Sequence, residues 1–258
     1  MTGYTTVPYT IAYANELVDE PILFEWHEYE LRLTYRHPHR SDWVNGILRA
    51  RSLDLRDRPK ARGSERMRKL NVLRQWKCMN HLLCQVCGAP ATDPESGRIP
   101  WLLVPTVFER TGEESGRTNA PPTCWNCIPK ALKECPMLQD QAMLCTVEAA
   151  LSAGVLADLY RARTPAQPLL WRHNVFVAWD AIAYHPVALA VAQVVELYDM
   201  RPVPEKDIAR THPSARVLRP QPAQLVGIPP VGVDQPGAPD NVRPPVTSPP
   251  PGISQVGR

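Results

Sequence analysis

Two Cys-x-x-Cys pairs constrain this chain more than any other feature of its sequence. The first pair is Cys84 and Cys87, and the second is Cys124 and Cys127. Each such turn supplies two thiolates, so two turns complete the four-sulfur tetrahedron that zinc prefers. The sequence therefore predicts a structural zinc site, because four thiolates leave no open position for water. The alternative is four reduced, buried cysteines without a metal.

A few other potential ligands stand outside the two pairs. They are Cys78, His81, Cys135 and Cys145. Cys78 or His81 could replace a ligand or build a second site, whereas the alternative for each spare residue is ordinary packing. A separate candidate metal or acid–base cluster consists of Trp26, His27, Glu28, His37 and His39. Scattered surface histidines are the competing interpretation of that cluster.

Seven cysteines would suit a disulfide framework only in an exported protein. Residues 1–19 show neither the basic nor the apolar region of a signal peptide. The most apolar segment, residues 182–197, is interrupted by His185, Pro186 and Glu196, and is no membrane span. We therefore expect a cytoplasmic protein with reduced thiols and no membrane contact.

Composition divides the chain into three parts. Residues 1–63 are predicted to form N-terminal strands and a basic linker. Residues 64–203 are predicted to hold the zinc module within a mixed α+β domain. Residues 204–258 are rich in proline and show no hydrophobic periodicity, which is typical of a disordered tail.

Hydrophobic patterning predicts the main elements of the first half. Partial alternation over Leu23–Leu33 predicts a half-buried strand. A helix is predicted to begin at the N-cap Ser64, with Glu65 in its first turn. Its apolar face would be formed by Met67, Leu70, Leu73 and Trp76.

The second half is predicted to mix short helices with strands. A strand is expected over Trp101–Phe108, a short helix over Ile128–Glu134 and another over Gln139–Ala153. Val155–Tyr160, Asn174–Asp180 and part of Leu189–Met200 fit either strands or strands with one helix. The segment Val187–Leu197 fits a buried strand or a helix equally, because a short apolar run does not separate them. The predicted fold class is α+β.

The segment Arg49–Lys77 is strongly basic, with eleven Lys or Arg against three acidic residues. The whole chain carries a net charge of only +3, so this excess is local. Such a segment could track the phosphates of DNA or RNA. The candidate contacts on the predicted helix are Arg66, Arg68, Lys69 and Arg74. The alternative is a solvated helix face followed by a flexible linker.

The region 82–136 resembles the zinc-binding frame of HNH endonucleases, a treble-clef fold. The resemblance lies in Leu83-Cys84-x-x-Cys87-Gly88 and in Asn119, which stands five residues before Cys124. It implies that a catalytic His lies on the strand between the two pairs, where it would activate water beside a metal. Here Trp101–Phe108 contains no His, Asp or Glu. A looser similarity is to uncharacterised actinobacterial and phage C-x-x-C proteins.

These observations favour a non-enzymatic zinc-binding module that contacts nucleic acid or a partner protein. One alternative is an HNH-type nuclease with a displaced or degenerate catalytic centre. Another is a scaffold or assembly protein that acts through the proline-rich tail. No phosphate-binding glycine loop and no nucleophile elbow is visible in the sequence.

Overall fold

The computed structural model describes residues 6–104, 115–138, 142–165 and 167–203. Strands dominate this part of the chain. They are β1 (Ile11–Tyr13), β2 (Ile22–His27), β3 (Glu30–Tyr35), β4 (Trp43–Val44), β5 (Ile47–Arg49), β6 (Glu65–Leu70), β7 (Ile99–Leu103), β8 (Ser115–Thr118), β9 (Met143–Val147), β10 (Ala149–Thr164), β11 (Gln167–Ala178), β12 (Ala188–Tyr198) and β13 (Arg201–Pro202). The α-helices described are α1 (Val72–His81) and α2 (Ile128–Glu134).

The predicted strand Leu23–Leu33 is in fact a hairpin of β2 and β3. Its register pairs Phe24 with Leu33 and His27 with Glu30. Glu28 turns the chain with a φ of +55°. The alternation in the sequence was detected correctly, but the reversal was missed because no Gly, Asn or Pro marks this turn.

The helix predicted from Ser64 begins eight residues later. β6 occupies the first part of that segment and pairs antiparallel with β1, joining Leu70 to Ile11. Asn71 then caps α1, since its side-chain oxygen accepts a hydrogen bond from the Arg74 N–H at 3.1 Å. The apolar spacing was compatible with a helix, but pairing with β1, far away in sequence, decides the conformation of its first half.

A second error concerns Gln139–Ala153, where a helix was predicted. Residues 139–141 lie outside the described part of the chain, and the rest forms β9 and the start of β10. β9 lies between β7 and β13 and is apolar on both faces: Met143 and Cys145 pack on one side, and Leu144 on the other. A strand buried on both faces lacks alternation, so its sequence resembles that of a buried helix.

The largest sheet has the order β11-β10-β12-β5-β4, and β8 also pairs with β12. The strand alternative for Val155–Tyr160 and Asn174–Asp180 is confirmed by β10 and β11. The ambiguous segment Val187–Leu197 is the strand β12. Its far end carries Val195 and Leu197 into an apolar cluster with Trp101, and the cysteine turns pack against that cluster.

The fold is therefore mixed but strand-dominated, rather than the α+β arrangement expected. β7 and β8, which stand between the two cysteine pairs, do not pair with each other: β7 pairs with β9, and β8 pairs with β12. Strands from both sides of residue 63 share sheets, because β1 pairs with β6 and β5 with β12. The treble-clef form of the cysteine-containing region stays a prediction, and so does zinc as its metal.

No helix in the described ranges is long and apolar enough to cross a membrane. The proline-rich segment 204–258, predicted to be disordered, lies outside the described residues. Part of the predicted strand Trp101–Phe108 lies outside them as well, and its described part is confirmed by β7.

Candidate metal centre

The first cysteine turn follows directly from the end of α1. Leu82 ends that helix with a φ of +51°, and the chain then folds back so that the Gly88 N–H donates to the Cys84 carbonyl at 2.8 Å. Gly88 has a φ of +79°, a conformation that glycine adopts without steric cost. A Cβ at this position would lie 2.8 Å from the ring of Tyr9, so glycine is required both by conformation and by space.

The second cysteine turn opens α2. The Cys127 and Ile128 N–H groups both donate to the Cys124 carbonyl, at 2.9 and 3.2 Å. Pro129 falls in the first turn of the helix, where a missing N–H costs nothing. The helix Ile128–Glu134 is therefore confirmed, and it fixes the direction of both thiols in this pair.

Hydrogen bonds join the two turns before any metal is considered. The Gln85 N–H donates to the Pro122 carbonyl at 2.8 Å, and the Gln85 side chain donates to the Thr123 hydroxyl at 3.0 Å. The Tyr9 N–H donates to the Val86 carbonyl at 2.9 Å, which adds the N-terminal segment. The sequence analysis did not identify Gln85 and Thr123 as contacts between the turns. The only signal for them was a polar residue inside the first cysteine turn and a polar residue directly before the second.

The four thiols converge as the spacing predicted. The Sγ atoms of Cys84, Cys87, Cys124 and Cys127 all lie within 4.8 Å of one another. The Cys87 and Cys124 sulfurs are 3.8 Å apart. A tetrahedron with metal–sulfur bonds of about 2.3 Å has edges of about 3.8 Å, so this pair already has the separation of metal ligands. The four cysteines could hold a metal ion.

Crowding separates the pKa values of these thiols. Burial raises the pKa of Cys124 to about 11, and burial followed by the proximity of Cys84 also raises the pKa of Cys127. Desolvation opposes ionisation of Cys87 too, but hydrogen bonds from the Ala89 N–H and the neighbouring cysteines outweigh it and lower the pKa of Cys87. A cation at the centre would stabilise all four thiolates, so metal binding would release protons.

The other candidate ligands stay outside this centre. Cys78 and Cys145 are fully buried, and their sulfurs lie 4.0 Å from the Cys84 carbonyl and 3.8 Å from the Trp101 carbonyl. Burial raises the pKa of both thiols to about 12, as suits packed side chains. Within the described ranges, the four paired cysteines form the only group of three or more potential ligands, so the cluster proposed around His27 is not assembled as a metal site.

The basic segment is divided by the fold into anchored and free side chains. Arg74 is fully buried, and its guanidinium donates to both carboxylate oxygens of Glu16 at 2.6 and 2.7 Å. It also donates to the carbonyls of Tyr9 and Ile11. Arg74 is therefore unable to contact phosphate, contrary to the prediction. The sequence analysis did not predict that Arg74 lies on the buried face of α1, because the predicted helix began too early.

Other arginines of this segment also make contacts within the folded protein. Arg51 pairs with Asp42 at 2.6 Å and with Glu20. Arg56 and Arg62 cover the rings of Tyr9 and Tyr13 and donate to backbone carbonyls. Arg49 is half-buried, covers the ring of Trp76 and donates to the Ser41 carbonyl. The other six cations are exposed, and in the part of the chain that the structure describes none of them has a carboxylate partner. They are Arg58, Lys60, Arg66, Arg68, Lys69 and Lys77.

The strand that would carry catalytic residues in an HNH nuclease has a different character here. All five residues of β7, Ile99–Leu103, are buried, and none can donate or accept a proton in acid–base catalysis. Asn119 uses its backbone carbonyl to accept a hydrogen bond from the Gln75 side chain at 2.9 Å. No model of a protein family, no curated protein and no solved structure matches this chain.

Proposed function

We propose that the protein is a non-enzymatic nucleic-acid-binding module whose fold is held by a structural zinc ion. The cysteine cluster supplies the zinc site, and the exposed cations of residues 49–77 supply the contact surface. Because a thiolate site needs reduced cysteines, the proposal includes a cytoplasmic location.

The donor set supports zinc. Thiolates are soft ligands that favour zinc or iron, and zinc is the usual occupant of a tetrahedron formed by two C-x-x-C turns. With Cys84, Cys87, Cys124 and Cys127 as ligands, the coordination shell is full and no water can be activated. The ion would fix the first turn against the start of α2, in addition to the hydrogen bonds made by Gln85.

The observation that carries the nucleic-acid proposal is the group of six exposed cations without carboxylate partners. All three acidic residues of 49–77 are exposed, but Asp54 is paired with buried Arg74, so six exposed cations stand against two carboxylates, those of Asp57 and Glu65. The charge excess therefore survives folding. A protein gains little stability from keeping like charges together, but a polyphosphate backbone gains counterion release from binding them.

The fold also gives these cations a fixed platform. The loop that carries Arg58 and Lys60 is tied to the N-terminal segment: the Asn15 N–H donates to the Arg62 carbonyl at 3.1 Å, and the Ala14 N–H donates to the Ser64 carbonyl at 2.8 Å. β6 continues from there, paired with β1, and exposes its cations. Flexible linkers, the alternative considered for this segment, would not be held in this way.

The test is a titration of the zinc-loaded protein with a labelled DNA duplex at several salt concentrations. Replacing Arg66, Arg68 and Lys69 together by Glu should weaken binding for all sequences alike, because phosphate contacts carry no base information. It should also reduce the steepness of the slope of log affinity against log salt concentration by about three.

A matched control makes the same change of charge on other surfaces: Arg36, Arg40 and Lys130, all exposed, are replaced by Glu. This variant should retain much tighter binding than the first. Equal losses in the two variants, or no binding of the unaltered protein at low salt, would contradict the proposal and favour a protein partner.

A further inference from the structure

A second cationic surface lies on the long hairpin of β10 and β11. The ring of Trp171 is covered by two guanidinium groups: the Arg161 Cζ lies 3.8 Å from the ring centroid and the Arg172 Cζ lies 4.7 Å from it. These two arginines come from opposite strands of the hairpin. The indole thus holds both guanidiniums in place, which lowers the entropy that either would lose on binding a ligand.

The arginines of this surface are not neutralised by the fold. Arg161, Arg163 and Arg172 are exposed, and no ion pair to any of them occurs among the described residues. The neighbouring carboxylate, Asp158, is paired instead with His173 at 2.5 Å. The surface is therefore a concentrated positive patch with preordered donors.

Apolar side chains are interleaved with these charges. Leu169 lies directly across from Arg161 in the register of the hairpin and is 59% exposed. Phosphate binding alone would not require an exposed leucine beside the indole ring of Trp171. Stacking and apolar groups among cations are characteristic of proteins that bind unpaired bases.

We propose that this surface, formed by Arg161, Arg163, Leu169, Trp171 and Arg172 and here termed the ribbon patch, binds single-stranded nucleic acid. The guanidiniums bind phosphates, while bases stack on the outer face of the Arg161 guanidinium and on the apolar side chains. The inference rests on the proposed function and adds single-stranded RNA or DNA as the ligand of this second surface.

The anchoring of the hairpin argues against a duplex ligand. A two-stranded ribbon can enter the major groove, which is about 12 Å wide, only if it projects freely. Here the turn of the hairpin is fixed to β2, since the Phe24 N–H donates to the Pro165 carbonyl at 2.8 Å. Tyr160, on β10, packs against Phe24 and Leu33. The hairpin therefore offers one face rather than an inserting arm.

The ribbon patch and the cations of residues 49–77 are connected through one apolar cluster. Trp171 packs against a core that contains Val72 and Trp76 of α1. Trp76 is itself covered by the Arg49 guanidinium, with 5.5 Å between the Arg49 Cζ and the ring centroid. The two cationic surfaces therefore share one packed support.

The experiment compares two labelled probes of about 12 nucleotides, an oligothymidylate and a mixed-sequence duplex, bound to the full-length zinc-loaded protein. The double variant Arg161→Gln with Arg163→Gln should weaken binding of the single strand at least about fivefold, and should leave duplex binding nearly unchanged. Trp171→Ala should weaken single-strand binding further, about tenfold, because it removes the support for both guanidiniums.

The control is the double variant Arg36→Gln with Arg40→Gln, which removes the same charge from another exposed segment. Because Trp171 is partly buried, the double variant at Arg161 and Arg163 decides the outcome if Trp171→Ala does not fold. Loss of single-strand binding there, with the control unaffected, supports the inference.

Three results would overturn the inference. In the first, single-strand binding is unchanged in the ribbon-patch variants but is lost when Arg66, Arg68 and Lys69 are replaced by Glu. Only the proposed function would then survive. In the second, neither probe binds at low salt, so that the proposed function fails as well. In the third, the patch variants abolish binding to vesicles of anionic phospholipid while the oligonucleotide does not bind, which would identify a membrane surface as the ligand.

Discussion

At the scale of single residues, charge alone does not reveal the role of an arginine. Arg74 and Arg68 stand six positions apart in the same basic segment, yet the first is fully buried and the second is exposed. The buried guanidinium is compensated by Glu16, which also accepts hydrogen bonds from the Tyr13 and Leu55 N–H groups at 2.8 Å each. This network joins β1, α1 and the intervening loop.

Glu16 gives the protein a specific sensitivity to acid. Burial alone would raise the pKa of Glu16, but hydrogen bonds from Arg74 and from backbone N–H groups outweigh it and lower the pKa from 4.5 to about 2. The resulting stability, about 3 kcal/mol, is present above pH 4.5 and is lost as the pH falls towards 2, since the unfolded chain binds the proton more tightly.

Urea unfolding between pH 7 and pH 2 should therefore show a steep loss of stability below pH 4.5. Glu16→Gln should be less stable at pH 7, because it leaves the buried Arg74 charge uncompensated, and should lose much of this pH dependence. If both proteins lost stability in parallel over that range, the acid sensitivity would have to come from another group.

At the scale of elements, two short turns place the metal ligands. One follows α1 and the other precedes α2, so each pair of thiols takes its direction from a helix end. The chain between the pairs includes β7 and β8, which join different sheets. A metal ion here would connect the turn that follows α1 to the turn that opens α2.

Loss of one ligand should remove both the metal and much of the stability. We expect about one zinc per chain in the purified protein, and its loss together with a lower melting temperature in Cys84→Ser. Cys135→Ser changes a half-buried cysteine outside the cluster and should keep the zinc. Metal analysis and thermal unfolding measure both effects. Full zinc content in Cys84→Ser would contradict the ligand assignment.

Gly88 allows a test of how tightly the first turn is packed. Gly88→Ala meets two costs, a φ of +79° and a Cβ placed 2.8 Å from the Tyr9 ring, whereas Gly97→Ala meets only the first, with a φ of +69° and nothing within 4 Å. The strained backbone costs about 1 kcal/mol in each, and the clash adds about 1–3 kcal/mol at Gly88 alone. Chemical unfolding of the zinc-loaded proteins measures the difference, and equal losses would mean that Tyr9 moves aside freely.

At the scale of the whole molecule, the described residues form a strand-rich body with most of its cations on the surface and no acid–base residue on β7. We expect no cleavage of supercoiled plasmid with Mg²⁺ or Mn²⁺ beyond that of a Cys124→Ser control. Cleavage that this control abolished would falsify the non-enzymatic proposal and restore the nuclease alternative. A gel assay with both metals decides it.

How much of this could be predicted depends on the range of the interactions involved. The convergence of the four paired cysteines and the helix α2 were predicted correctly, because both depend on turns formed by residues within a few positions of one another. The hairpin of β2 and β3, the pairing of β6 with β1 and the strand β9 were not. Each depends on a partner strand or on burial of both faces, which local periodicity does not show.

The sequence by itself determined that the chain has two dithiol turns and an excess of basic residues in one segment. Only the tertiary structure decided which charges remain available. Arg74 was drawn into the core by Glu16, while Arg66 and Arg68 stayed exposed on β6. It also assembled the ribbon patch, which brings Arg161 of β10 onto Trp171 of β11. A turn is fixed by its own residues, but the environment of a side chain is fixed by elements that the rest of the chain brings to it.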